Sequence, residues 1–134
     1  MMSGRSGMRP RVLMGGLVGL IVLVGALLSA LSSAPTREIS LVVRNMAFYL
    51  EADPQSPNPT IDLKVGERVL IVVRNQDRGV THDFAVPAFE TASTAVKWSE
   101  TTQLLLDAPA KPGSYSYVCR PHRLVMQGTI RVVP

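Results

Sequence analysis

Across residues 36–134, apolar side chains recur at every second position in short runs broken by proline, glycine, asparagine and aspartate, and this period limits what the chain can fold into. Ile61, Leu63 and Val65 alternate with Thr60, Asp62 and Lys64; Ile130 and Val132 alternate with Thr129, Arg131 and Val133. Residues two apart share a face of an extended strand, so each run can bury one side against a core. Further runs occupy residues 38–44, 68–74, 80–86, 102–106 and 114–119, and seven strands within 99 residues predict an all-β antiparallel sandwich. Asp53-Pro54, Asn58-Pro59, Val65-Gly66, Asn75-Gln76-Asp77, Arg78-Gly79 and Lys111-Pro112-Gly113 supply the turns. No long helical period competes. Residues 89–98 lack alternation and are expected to form a loop or one short helix, and the proline-rich residues 54–59 a stiff surface loop.

A different pattern precedes this domain. Residues 12–31, VLMGGLVGLIVLVGALLSAL, are uncharged and mostly apolar, and as a helix they would be about 30 Å long, the thickness of a bilayer hydrocarbon core. Arg5, Arg9 and Arg11 lie before them and the Arg37-Glu38 pair after, which favours a cytoplasmic N-terminus and an exported C-terminal domain. Twenty apolar residues exceed the roughly 7–15 of a secretory signal, and Pro35 is an awkward neighbour for cleavage at Ser32-Ser33-Ala34. A retained anchor is therefore favoured over a cleaved signal. The expected division is a membrane or signal segment at 1–35 and one folded domain at 36–134. Gly15 and Gly19 have a GxxxG spacing, but glycine-rich apolar segments produce it by chance, and the exported domain is expected to be monomeric.

Charge excludes a nucleic-acid partner. The whole chain carries +4, but residues 36–134 hold 11 basic and 10 acidic side chains, a net of +1. The single cysteine excludes an internal disulfide and any structural zinc site built on two or more thiolates.

Ligand chemistry concentrates in residues 117–130, YVCRPHRLVMQGTI, where Cys119, His122 and Met126 fall within eight residues. Thiolate, imidazole and thioether together select copper over magnesium, calcium or manganese. The only other histidine, His82, shares its parity with Val80, Phe84 and Val86 and is expected to point inward, with Thr81 and Asp83 pointing out. Cys119 shares a face with Tyr115 and Tyr117. A lone cysteine is usually a small buried hydrophobe, but an unpaired thiol in an oxidising compartment is open to oxidation unless a metal occupies it. Two histidines, one cysteine and a weak axial methionine form the blue-copper pattern. Gln127 is the competing axial donor, with Met126 favoured. Trp98 is read as a packing residue.

With these residues in view, the domain resembles a cupredoxin, most similar to the plastocyanin, pseudoazurin and amicyanin group. The resemblance rests on LKVGERV at 63–69, RNQD at 74–77, THDF at 81–84, PGSYSYVC at 112–119 and MQGTIRV at 126–132. It implies a Greek-key β-sandwich in which His82, Cys119, His122 and Met126 bind one type 1 copper ion. One departure is plain: three residues separate His122 from Met126, where relatives place two or four, and loop length shifts the axial ligand.

Such a site suits single-electron transport between redox partners of cytochrome or oxidase type. His82 would be the buried ligand. His122 would emerge beside Pro121, Leu124 and Val125 as an apolar docking patch flanked by Arg120 and Arg123. A binuclear copper centre needs two cysteines, and catalytic coppers need more histidines than the two present, so an enzyme is not expected. The alternative of another class is a periplasmic copper-binding or delivery protein using the same ligands.

Overall fold

The computed structural model describes residues 37–134. The apolar stretch at 12–31 and the boundary expected between 35 and 36 lie outside the described residues, among which no helix is long and apolar enough to cross a membrane. Nine strands follow in order: β1 (Arg37–Arg44), β2 (Ala47–Leu50), β3 (Thr60–Lys64), β4 (Arg68–Asn75), β5 (Ala85–Val86), β6 (Thr91–Ala92), β7 (Thr101–Asp107), β8 (Gly113–Val118) and β9 (Gln127–Val133). Single 3-10 turns occupy Pro87–Phe89 and Arg120–His122.

The strands form two sheets in the orders β2-β1-β4-β7 and β3-β9-β8-β5-β6. The all-β expectation holds, but the sandwich is not purely antiparallel. β1 runs parallel to β4 with Ile39 opposite Ile71, and β3 parallel to β9 with Ile61 opposite Ile130. Alternation shows which face of a strand is buried and says nothing of which strand lies beside it. Here the chain leaves the first sheet after β2, contributes β3 to the second, and returns for β4, so the parallel neighbours of β1 and β3 come from distant sequence.

The core is the set of faces that alternation selects. Ile39, Leu41 and Val43 of β1 and Val69, Ile71 and Val73 of β4 meet Ile61 and Leu63 of β3 and Ile130 and Val132 of β9, all buried. Each fully buried side chain of this kind contributes about 1.5–3 kcal/mol. Val65 departs from its expected face because the chain turns at Gly66, whose φ is +69°, and Val65 lies beyond the end of β3. On the outer surfaces, Asp62 and Arg131, directly opposite on β3 and β9, form a bidentate pair at 2.7 and 2.7 Å.

β2 has no counterpart in the sequence reading. It is joined to β1 by a two-residue turn in which Asn45 and Met46 both take positive φ, 50° and 59°. Such turns are usually signalled by Asn-Gly, because a side chain at the second position is strained there. Asn-Met hides the hairpin. Residues 80–86 depart as well: only Ala85–Val86 is regular strand, and residues 82–86 are all buried. They are fastened to residues 91–96 by His82 N–H to Val96 O at 3.1 Å, Val96 N–H to His82 O at 2.8 Å and Ser93 N–H to Phe84 O at 2.8 Å. Asp83, expected to face solvent, is thereby turned inward.

Three aromatic rings tie the sheets together beneath the ligand-rich loops. Phe84 and Tyr117 stack at 5.0 Å, and Phe48 meets their edges at 5.6 and 5.5 Å. Tyr117 also donates its hydroxyl to Pro59 O at 2.7 Å. Its ring lies over Gly128, its cross-strand partner on β9, and a β-carbon added there would overlap the ring. Gly128→Ala should therefore destabilise the metal-free protein by about 1–3 kcal/mol, the cost of overpacking a tight site. Thermal unfolding checks this, at about 4–8 °C of Tm per kcal/mol for a domain of this size.

Candidate metal centre

The C-terminal ligand loop is the connection between two antiparallel neighbours, β8 and β9. Their last and first residues, Val118 and Gln127, are paired, so residues 119–126 are gathered over one end of the sandwich. Within the loop Cys119 N–H bonds Met126 O at 3.0 Å, His122 N–H bonds Cys119 O at 3.1 Å, and Met126 N–H bonds His122 O at 2.9 Å. Pro121 sits inside the short turn, where its missing N–H is not needed. Three residues carrying donor atoms are thus locked to one another through the backbone.

Two brackets from distant sequence hold the loop against the sandwich. Asn58 donates from Nδ2 to Val125 O at 3.3 Å while its Oδ1 accepts Phe48 N–H at 3.1 Å. Asp83 accepts Arg120 N–H at 2.8 Å through Oδ1 and the Arg120 guanidinium Nε at 2.6 Å through Oδ2. The residue after His82 is in this way tied to the residue after Cys119.

The result brings His82, Cys119 and His122 together, with one donor atom from each lying within 4.8 Å of the others. Cys119 Sγ lies 3.7 Å from His82 Nδ1 and 3.5 Å from His122 Nδ1. For metal–sulfur and metal–nitrogen bonds of about 2.3 and 2.0 Å, such separations correspond to angles of roughly 105–120° at a shared ion. The residues therefore fit a first-row metal. His82 and Cys119 are fully buried and His122 is partly exposed. Met126, whose N–H bonds His122 O, is fully buried, whereas Gln127 is exposed.

Electrostatics follow from burial. The Cys119 thiol is pushed above its ordinary value by desolvation, with the backbone N–H groups of Asp83 and His122 pulling it partly back. His82 is held below its ordinary value, again by desolvation first, against the opposing Asp77 carboxylate 3.1 Å from its Nε2. The sequence offers His82, Cys119, His122 and Met126 as candidate ligands but not the residues that support them. Asn58, Asn75 and Asp77 sit in what look like plain turn signals and Asp83 in a run read as strand with its side chain outward, and short polar side chains carry no mark of what they bracket. Trp98, expected to pack, is instead 48% exposed, with the Arg78 guanidinium 4.4 Å from its ring centroid.

The geometry agrees with comparison to known proteins. The sequence matches the family described as cupredoxin-like domain over residues 17–132. The chain belongs to this family. A search of curated proteins returns no match. Among solved structures, auracyanin B shares 19% identity with the chain, covering 78% of it and 94% of auracyanin B, with a TM-score of 0.61. Auracyanin A, a "blue" copper protein from the green thermophilic photosynthetic bacterium Chloroflexus aurantiacus, shares 19% identity over 75% of this chain and 100% of its own, with a TM-score of 0.57. A chain of a heme-copper terminal oxidase dimer shares 18% identity over 87% of this chain and 93% of its own, with a TM-score of 0.54. At these identities the likeness is one of fold.

Burial of the donors makes the metal-free cupredoxin-like domain sensitive to acid. A His82 held below its ordinary value binds fewer protons folded than unfolded, so stability is fully present above about pH 6.5 and falls as pH drops toward the folded value. Denaturant midpoints of the metal-free protein at pH 7.5 and 5.5 should show the lower value at 5.5, and His82→Gln should reduce the difference.

Proposed function

We propose that this chain is a mononuclear type 1 copper protein that carries single electrons between redox partners, with His82, Cys119, His122 and Met126 holding the ion. The observation that carries this is the convergence of the Cys119 sulfur and two Nδ1 atoms at metal-ligand spacing, with the soft Met126 buried alongside. A bound copper ion supplies the Cu(II)/Cu(I) couple.

The residues of this chain do the rest. Cys119 gives up its thiol proton on loading, because only thiolate ligates. The sandwich and the two brackets, Asn58 on Val125 and Asp83 on Arg120, hold the donors in place and leave little to rearrange when one electron moves. His82 and Cys119 exclude water by being buried. His122 is the exit: its loop presents Leu124 at 88% exposure and Val125 at 58%, beside Pro121. Two hollows at this loop share Arg120, Arg123 and Leu124, and one of them is also lined by His122, Pro121 and Val125. An apolar disc with a cationic rim suits a redox protein with an acidic rim. With four protein donors no position is open for substrate, which favours a carrier over an enzyme.

The full-length protein loaded with copper(II) should show an intense thiolate-to-copper band in the visible spectrum that Cys119→Ser abolishes. A protein that stays colourless, favours copper(I) and exchanges it readily would be a delivery protein instead. Residues 12–31 are proposed to anchor the chain in the cell membrane with the copper domain on the exported side. After cell fractionation the protein should stay in the membrane pellet through alkaline carbonate washing and retain its N-terminal segment by mass. A soluble product beginning near residue 35 would mean that the segment is a cleaved signal.

A further inference from the structure

His82 is held on the side away from the sulfur by a carboxylate. Its Nδ1 faces Cys119, and its Nε2 lies 3.1 Å from Asp77 Oδ2. The carboxylate is itself fixed: Oδ1 accepts Asn45 N–H at 2.6 Å and Oδ2 accepts Met46 N–H at 3.0 Å, while Asp77 N–H donates to Asn75 Oδ1 at 2.8 Å. Asn75, fully buried, uses its Nδ2 on Val80 O and Val96 O at 2.8 and 3.0 Å, and so fixes the segment that carries His82 from both sides. The two N–H groups on the carboxylate come from the turn whose residues both take positive φ. Met46 in that region carries strain, which the bond to Asp77 helps to hold.

Two carboxylates lie near the donors, and they differ in charge balance. Asp83 faces the guanidinium of Arg120. Asp77 has no cation among its partners in the described residues: it accepts two neutral backbone N–H groups and the His82 ring. Its negative charge is therefore left to act through the imidazole on whatever His82 ligates.

We propose that Asp77 is a positioning residue that holds the proton on His82 Nε2, leaves the Nδ1 lone pair directed at the metal, and biases the site toward copper(II). A carboxylate accepting a ligand histidine's other N–H fixes ring and tautomer and makes the nitrogen a stronger donor. A stronger donor and an added negative charge both stabilise the higher oxidation state. This inference rests on the proposed copper site.

The experiment compares full-length copper-loaded wild type, Asp77→Asn and Asn45→Gly by reduction potential and by copper(I) and copper(II) affinity. Asp77→Asn should lower the preference for copper(II) over copper(I) by tenfold or more, a rise of at least about 59 mV for a one-electron couple. Asn45→Gly keeps the backbone donor and suits the positive φ, so it should leave the potential unchanged. Equal shifts in both variants would make the effect one of turn structure and overturn the proposal, as would an unchanged potential in Asp77→Asn. Nitrogen-15 NMR of the copper(I) wild type gives a readout that needs no variant. His82 should show a proton on Nε2 protected from exchange, and an unprotonated or freely exchanging Nε2 overturns the proposal. Wild type that binds no copper would overturn the proposed function and this inference together, whereas blue wild type with an indifferent Asp77→Asn would overturn this inference alone.

Discussion

One carboxylate ties the two ligand-bearing segments together. Asp83 takes both the main-chain N–H and the guanidinium of Arg120, joining a segment of the β5 side to the loop after β8, so that His82 and Cys119 meet although they are 37 positions apart in sequence. The bond is buried on the Asp83 side and exposed on the Arg120 side. A carboxylate withdrawn from water is costly unless paired, so the buried end demands its partner. The bond acts with the pairing of Ala85 to Val118 and with the Asn58 bracket on Val125, because the loop's own hydrogen bonds fix Cys119, His122 and Met126 only relative to one another.

Polar pairing of this kind extends through the whole end of the sandwich. Among the described residues no buried side-chain nitrogen or oxygen lacks a partner. Asn58, Asn75, Asp77 and Asp83 each bind backbone groups of a segment other than their own strand, which converts loose connections into a rigid frame. Rigidity serves an ion that changes charge without changing partners. It also leaves the buried thiol hard to ionise until a cation arrives, since desolvation opposes the thiolate more than the two nearby N–H groups favour it.

The sequence was informative where one physical rule governed one residue, and silent where two segments had to meet. Burial parity placed Ile39, Leu41, Val43, Ile61, Leu63, Ile130 and Val132 correctly because a pleated strand allows little else. Ligand types and spacing singled out Cys119, His122 and Met126. Parity failed at Asp83, because residues 80–86 are irregular and follow their hydrogen bonds to 91–96 instead of a pleat. The hairpin at Asn45-Met46 lacked its usual glycine, and the parallel neighbours of β1 and β3 left no local trace. The brackets around the ligand loop were illegible for the same reason: an asparagine in a turn has the same letter whether it binds solvent or a distant carbonyl.

The parallel pairings have a kinetic consequence. Ile39 must find Ile71, and Ile61 must find Ile130, before the two sheets are complete, and contacts so far apart in sequence close late because chain entropy is lost before they repay it. β9 lies between β3 and β8 in its sheet and closes the loop that carries Cys119. A chain whose β9 has not yet docked therefore leaves its one thiol sulfur, that of Cys119, neither shielded nor occupied. In an oxidising compartment, the yield of usable protein would be decided by a race between sheet closure and chemical damage to that atom.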